Sequence, residues 1–140
     1  MELYRFYQKV IKMEIIHSTP DLLDFFDMIR AWFESQHNRI WICTPYMDNV
    51  TVSLINSSCK AKDVRVITRK NRHMDELDKR IHLKLNQDIH VKLYIGDASA
   101  HVGSANLTYA SLMDNIELLL KIDDPDILTG LAGYFEVLWI

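Results

Sequence analysis

Segments with apolar residues at helical spacing alternate along the chain with short runs of β-branched and aromatic residues. The runs that predict strands lie at 39–44, 63–68, 89–95, 101–104 and 115–122. The predicted helices begin at the 18–21 segment Ser-Thr-Pro-Asp, cover 49–59, pass through Met74, Leu77, Ile81 and Leu85, and begin again near Asp123. Because helices and strands alternate, we expect an α/β fold: a mixed β-sheet with helices on both faces.

Length and composition agree with one domain spanning residues 1–140, since 49% of the residues are hydrophobic and only four Gly and three Pro are present. Cys43 and Cys59 form no CxxC pair and are interpreted as buried thiols, which favours a reducing, cytoplasmic location. The first 16 residues carry scattered charges, unlike a secretory signal or a membrane span. We therefore expect no stable membrane association.

The net charge of −3 is divided unevenly along the chain. Residues 60–92 contain ten of the sixteen Lys and Arg but only five of the nineteen acids. Such a basic segment favours a polyanionic substrate, whose phosphates Lys and Arg bind regardless of sequence. Arg69, Lys70 and Arg72 are the candidates for contacts with a nucleic-acid backbone. Acidic residues are interspersed among these bases. The other basic residues of the segment could therefore simply form the solvent-exposed face of a helix, and this alternative stays open.

A set of phosphate-handling residues follows this basic segment. The pattern is His-x-Lys-x4-Asp, then Gly-Ser-x-Asn and a later acid: His90, Lys92, Asp97, Gly103, Ser104, Asn106 and Glu117. In a strand over 89–95, His90 and Lys92 would project from one face and place an imidazole beside a fixed positive charge. The hydroxyl of Ser104 and the amide of Asn106, which follow within one hairpin length, would complete a phosphate pocket. The sequence contains no Walker loop, GxGxxG or HExxH motif, so we expect no cofactor and no metal.

This pattern resembles the phospholipase D superfamily, and the layout of the remaining chain is similar to a complete domain of that kind. The resemblance implies that His90 attacks phosphorus, that Glu117 orients it, and that Lys92, Ser104 and Asn106 hold phosphate oxygens. It also implies a homodimer, because the superfamily requires two motifs at one active site and this chain has one. Asp97 and Gly103 are interpreted as structural members of the motif, and His101 as structural or as part of the substrate rim.

Three functions follow from this reading. The leading hypothesis is a metal-independent endonuclease that forms a covalent phosphohistidine. The first alternative is a phospholipid hydrolase or phosphatidyltransferase, for which residues 1–16, with apolar residues at helical spacing, are the one candidate interfacial helix. The second alternative is a nucleic-acid-binding module of a restriction or repair system that holds a phosphate without turning it over. Structural roles also stay open for His90 and Lys92 as core and edge residues, and for Glu117 as a solvent-side strand residue.

Overall fold

The computed structural model describes residues 13–17, as backbone only, and residues 25–140. Seven strands are described: β1 Met13–His17, β2 Arg39–Cys43, β3 Asp63–Thr68, β4 His82–Leu85, β5 Leu93–Ile95, β6 Ala100–Gly103 and β7 Leu118–Ile122. The α-helices are α1 Phe25–Ser35, α2 Asn49–Ser58 and α3 Pro125–Trp139. Met74–Glu76 form a 3-10 turn, and Ala110–Asp114 form a π-helical turn.

The strands form one mixed sheet in the order β1-β7-β6-β5-β2-β3-β4. The β2–β3 and β3–β4 pairs are parallel, and the remaining pairs are antiparallel. Strand β5 lies at the centre, where Cys43 pairs with Leu93 on one side and Leu93 pairs with Val102 on the other. The segment that precedes β5 therefore enters the middle of the sheet.

Both faces of the sheet are covered, as the alternation of helices and strands predicted. On one face, Phe33 of α1 and Ile55 of α2 belong to the same apolar cluster as Ile42 and Tyr94. On the other face, Phe135 of α3 stacks on Trp41 with ring centroids 5.2 Å apart. Residues of β2 and β5 alternate between these two clusters, as the two-residue period of a strand requires. Because both faces are buried, these central strands read in the sequence as continuous apolar runs.

The helix predicted through Met74 and Leu85 is wrong. The chain makes only the short 3-10 turn there and then forms β4, which runs parallel to β3. Residues 82–85 alternate polar and apolar side chains, which is the signal of a half-exposed strand. Since the edge of β3 offers unpaired backbone groups, strand pairing prevails over the helical spacing of the preceding apolar residues.

Two predictions concern the start of the chain. The helix start at 18–21 and most of the candidate interfacial helix at 1–16 lie outside the described residues. The part of that candidate helix from Met13 onward is wrong, because Met13–His17 form β1 and pair antiparallel with β7. Among the described residues, no helix is both long and apolar enough to cross a membrane.

Candidate active site

One edge of the sheet gathers the segments that carry most of the predicted site residues. At this edge, the carboxyl ends of β2, β3, β4 and β6 lie beside the amino ends of β5 and β7, as the strand registers require. The segments just outside it are 89–92 before β5, 104–106 after β6, Glu117 before β7, and Arg69 with Lys70 after β3. Ligands of sheets with parallel strands commonly bind beyond such strand ends. We refer to this region as the site edge.

His90 and Lys92 lie in a segment without regular secondary structure and not in a strand, because β5 begins only at Leu93. The predicted strand over 89–95 is therefore too long. Strand β2 ends at Cys43, and Pro45, which lacks an N–H, follows soon after, so the neighbouring strand offers no further pairing. His90 is exposed, and its ring makes no hydrogen bond or ion pair with any described residue. Lys92 is half-buried, and its carbonyl accepts the Gly103 N–H at 3.4 Å.

Gly103 lies where the backbones of β6 and β7 pass close together. A Cβ atom at this position would lie 2.0 Å from the carbonyl oxygen of Leu118. The three nearest atoms all belong to the backbone of Leu118 and Leu119, which cannot move aside as a flexible side chain would, so only glycine fits there. This close approach brings Ser104 alongside the start of β7.

Ser104 and Glu117 form a hydrogen-bonded pair at the site edge. The Ser104 hydroxyl donates to Glu117 Oε2 at 2.5 Å, and the Leu118 N–H donates to the same hydroxyl oxygen at 3.0 Å. The amide of Asn115 donates to the other carboxylate oxygen at 3.4 Å. Glu117 is only 9% exposed, so this carboxylate has a fixed position. Since the Ser104 proton is already engaged, the hydroxyl must release Glu117 before it can donate to a phosphate oxygen.

Asn106 is held at the site edge through its backbone neighbours. The buried hydroxyl of Tyr94 donates to the Ala105 carbonyl at 2.6 Å, and the Leu107 N–H donates to Thr44 Oγ1 at 3.1 Å. Burial raises the pKa of Tyr94, so this hydroxyl stays a donor at any ordinary pH. The Asn106 Oδ1 atom is buried and has no hydrogen-bond partner among the described residues. A buried polar atom without a partner calls for an explanation, and at this edge a bound water or ligand that donates to it is one.

The basic candidates after β3 differ in their surroundings. Arg69 donates from Nε to the Ile89 carbonyl at 2.8 Å, and from a terminal nitrogen to the Tyr46 hydroxyl at 3.2 Å. Lys70 is exposed, and so is Arg72, whose Nε lies 3.3 Å from His73 Nε2. Arg69 therefore contacts the segment that carries His90. Sequence reasoning missed Tyr46, although its place directly after a buried strand and a proline was a usable signal.

Asp97 lies at the other end of β5, away from the site edge. Its carboxylate accepts the backbone N–H groups of His37 at 2.7 Å, Asn38 at 3.0 Å and Arg39 at 2.9 Å. Partial burial acts to raise the pKa of Asp97, but these three hydrogen bonds outweigh it and the net pKa lies below its usual value. Asp97 thus ties the end of β5 to the turn between α1 and β2. A cavity of about 470 Å³ at this far edge is lined by Asp97 and Arg39 and contains none of the predicted phosphate-binding residues.

His101 is buried in the middle of β6 and is 1% exposed. Its ring meets Trp32 edge-on with centroids 4.7 Å apart, and neither ring nitrogen has a hydrogen-bond partner among the described residues. Burial, with a smaller effect from the Lys121 charge, lowers the pKa of His101 to about 4. His101 is therefore neutral near pH 7 and is shielded from the site edge.

The chain belongs to the phospholipase D-like family. The family model described as "Cardiolipin synthase, PLD-like domain" matches residues 29–139, which include the site edge and all three described helices except the start of α1. The superfamily predicted from the motif is thereby confirmed. A search of curated proteins found no match.

Solved structures share this fold. NucT from Helicobacter pylori superposes with a TM-score of 0.75 at 19% identity, over 89% of this chain and 92% of that one. Nuc, a phospholipase D family member from Salmonella typhimurium, gives a TM-score of 0.70 at 15% identity, over 91% and 93% of the two chains. Yeast tyrosyl-DNA phosphodiesterase gives a TM-score of 0.55 at 10% identity, over 78% of this chain and 30% of that one. At these identities the likeness shows the fold.

Proposed function

We propose that this protein is a metal-independent phosphodiesterase that cleaves nucleic acid as an endonuclease. The observation that carries the proposal is the convergence of His90, Lys92, Asn106 and Glu117 at one edge of a phospholipase D-like sheet. Imidazole, ammonium, amide and carboxylate groups in one place can together attack, hold and protonate a phosphodiester. The similarity in fold to tyrosyl-DNA phosphodiesterase supports phosphodiester chemistry on a nucleic acid.

The proposed reaction begins when a His90 ring nitrogen attacks phosphorus. A phosphorus–nitrogen bond forms as the phosphorus–oxygen bond to the leaving group breaks, and a second imidazole donates a proton to the departing oxygen. That second group then takes a proton from water, whose oxygen displaces His90 and releases the phosphate product. Lys92 and the Asn106 amide stabilise the negative charge on the phosphoryl oxygens. A pair of coupled imidazoles predicts a bell-shaped dependence of rate on pH.

The second imidazole requires a second copy of the chain, because the motif occurs once in the sequence. The exposure of His90 supports this, since its ring makes no hydrogen bond or ion pair with any described residue. In the proposed homodimer, the partner subunit's His90 is the acid, and the two-fold axis passes through the site. Glu117 bonds Ser104 in the single chain, so a bond from Glu117 to His90 stays a prediction for the assembled site.

Charge and thiol chemistry favour a nucleic-acid substrate in the cytoplasm. Arg69 and Lys70 at the site edge supply positive charge beside His90, as contact with a phosphate backbone requires. Cys43 and Cys59 are free and buried, and burial raises the pKa of Cys43 to about 12. Unpaired thiols suit a reducing compartment.

The decisive experiment incubates the purified protein in EDTA with labelled single- and double-stranded DNA, RNA and phospholipid vesicles. We expect cleavage of nucleic acid that is lost in His90→Ala and kept in His82→Ala, a matched change at an exposed histidine on the edge strand β4. Acid-labile labelling of wild-type protein at His90 would support the covalent step. Equal cleavage by wild type and His90→Ala would refute the proposal.

The description of the matching family model keeps phospholipid chemistry as the second candidate. Turnover of anionic phospholipid with no nuclease activity in the same experiment would establish it. Binding of nucleic acid that survives in His90→Ala, with no turnover by wild type of any substrate, would instead indicate a module that only holds the phosphate.

A further inference from the structure

Two exposed tyrosines lie at the site edge. Tyr46, after β2, is 50% exposed, and Tyr109, before the π-helical turn, is 45% exposed. Among the described residues, the third tyrosine with comparable exposure is Tyr134, which lies on α3 and is also 45% exposed. Large aromatic surface beside a charged site suggests contact with a ligand that has both charge and a flat apolar surface.

The Tyr46 ring is fixed in place by Arg69. The guanidinium donates to the Tyr46 hydroxyl at 3.2 Å, and its carbon lies 5.2 Å from the ring centroid. The same guanidinium donates to the carbonyl of Ile89 at 2.8 Å. Ile89 is the residue before His90. One arginine side chain therefore connects the exposed ring to the segment that carries His90.

The Tyr46 backbone is connected to the Asn106 segment as well. The Thr44 hydroxyl donates to the Tyr46 carbonyl at 3.0 Å and accepts the Leu107 N–H, and Met47 forms a bridge with Leu107. The loop after β2 is thus connected both to the segment of His90, through Arg69, and to the segment of Asn106, through Leu107. A nucleotide whose phosphate is held by these two segments would place its base near this loop.

We propose that Tyr46 is a stacking platform for an unpaired base next to the phosphate that is cleaved, and that the substrate is therefore single-stranded nucleic acid. The inference rests on the proposed nucleic-acid substrate and adds the strand preference. Because Arg69 already orders the ring, stacking costs little conformational entropy. Stacking on an aromatic ring tolerates any base, whereas a base inside a duplex already stacks on its neighbours and is not available.

The test measures binding by fluorescence anisotropy, with every variant built on His90→Ala so that no cleavage occurs. The probes are a labelled single-stranded oligonucleotide, the same backbone with abasic positions, and the blunt duplex. Tyr46→Ala and Tyr46→Leu should each weaken binding of the single strand by about 10- to 100-fold, because stacking contributes roughly that factor per base. Tyr46→Phe, which keeps the ring, should stay within about threefold of the parent, and so should Tyr134→Ala, the control with similar exposure.

Binding of the abasic strand and of the duplex should not depend on the residue at position 46. The inference is overturned if Tyr46→Leu binds the single strand as tightly as the parent does. It is equally overturned if the change at Tyr46 weakens binding of the abasic strand as much as it weakens binding of the intact single strand. It is also overturned if the parent binds no single strand. If the parent binds single strands with the expected dependence on Tyr46 while wild type cleaves nothing, Tyr46 is a stacking platform for bound single strands and the proposed endonuclease is wrong.

Discussion

Replacement of Asp97 by alanine should destabilise the fold and leave the chemistry intact. The carboxylate accepts three backbone N–H groups, at 2.7, 3.0 and 2.9 Å, that lie before and at the start of β2. Hydrogen bonds to a charged group contribute about 1.5–3 kcal/mol each. Asp97 is only partly buried, so solvent screening reduces this to about 1 kcal/mol each. We therefore expect the free energy of unfolding to fall by about 2–3 kcal/mol, which lowers the Tm by about 6–12 °C.

The pH dependence of this loss follows from the lowered pKa of Asp97. A carboxyl group whose folded-state pKa is depressed stabilises the protein fully above its unfolded pKa of about 3.9. The contribution is lost as the pH falls through the lower folded-state value. The difference in stability between wild type and Asp97→Ala should therefore be constant above about pH 5 and shrink below about pH 4.

The assay combines urea denaturation with cleavage rates measured well below the Tm of the variant. Asp75→Ala is the control, because Asp75 is exposed and its side chain makes no hydrogen bond or ion pair with described residues. That variant should match wild type in stability within about 0.5 kcal/mol. Folded Asp97→Ala should keep kcat within about threefold of wild type, since the residue is at the far edge from His90. A hundredfold loss of kcat in folded protein would show that Asp97 takes part in the reaction.

Three further changes test the packing behind the site edge. Tyr94→Phe leaves the Ala105 carbonyl without its buried donor, so it should cost about 1–3 kcal/mol in urea denaturation and also lower the cleavage rate. Gly103→Ala forces a Cβ to within 2.0 Å of the carbonyl of the adjoining strand and should abolish stable folding, whereas Gly130→Ala, with open space around it, should be neutral or stabilising. A soluble, fully active Gly103→Ala protein would contradict the close strand approach. Because the pKa of His101 is lowered to about 4, the free energy of unfolding of wild type should fall by about 3 kcal/mol as the pH falls from about 6.5 to about 4. The free energy of unfolding of His101→Phe should fall much less over this range. Equal dependence of stability on pH in the two proteins would refute this.

The sequence predicted the sheet and most of its covering because local and global signals agree there. The strand over 63–68 is predicted with its observed bounds, since a continuous β-rich run has no competing helical period. The helix at Asn49–Ser58 likewise begins at a strong cap, where Asp48 and Thr51 exchange side-chain and backbone hydrogen bonds. The spacing of the motif residues identified the family without any knowledge of the fold.

The parts that the sequence did not reveal depend on partners distant in the chain. Strand β4 exists because β3 offers an open edge, and β5 starts late because β2 ends near a proline. The Ser104–Glu117 bond spans 13 positions, and the Arg69–Tyr46 bond spans 23. Neither has a periodic signature, since each arises only when separate loops meet at one end of the assembled sheet.

The central position of β5 has a consequence for how activity is acquired during folding. This three-residue strand pairs with β2, which lies about 50 positions earlier in the chain, and with β6. Loop closure over such a span is slow compared with the formation of local helices. In a refolding experiment, helical circular dichroism should therefore recover first and substrate turnover last, because a chain with native helices but an unfinished sheet has nowhere to anchor the histidine.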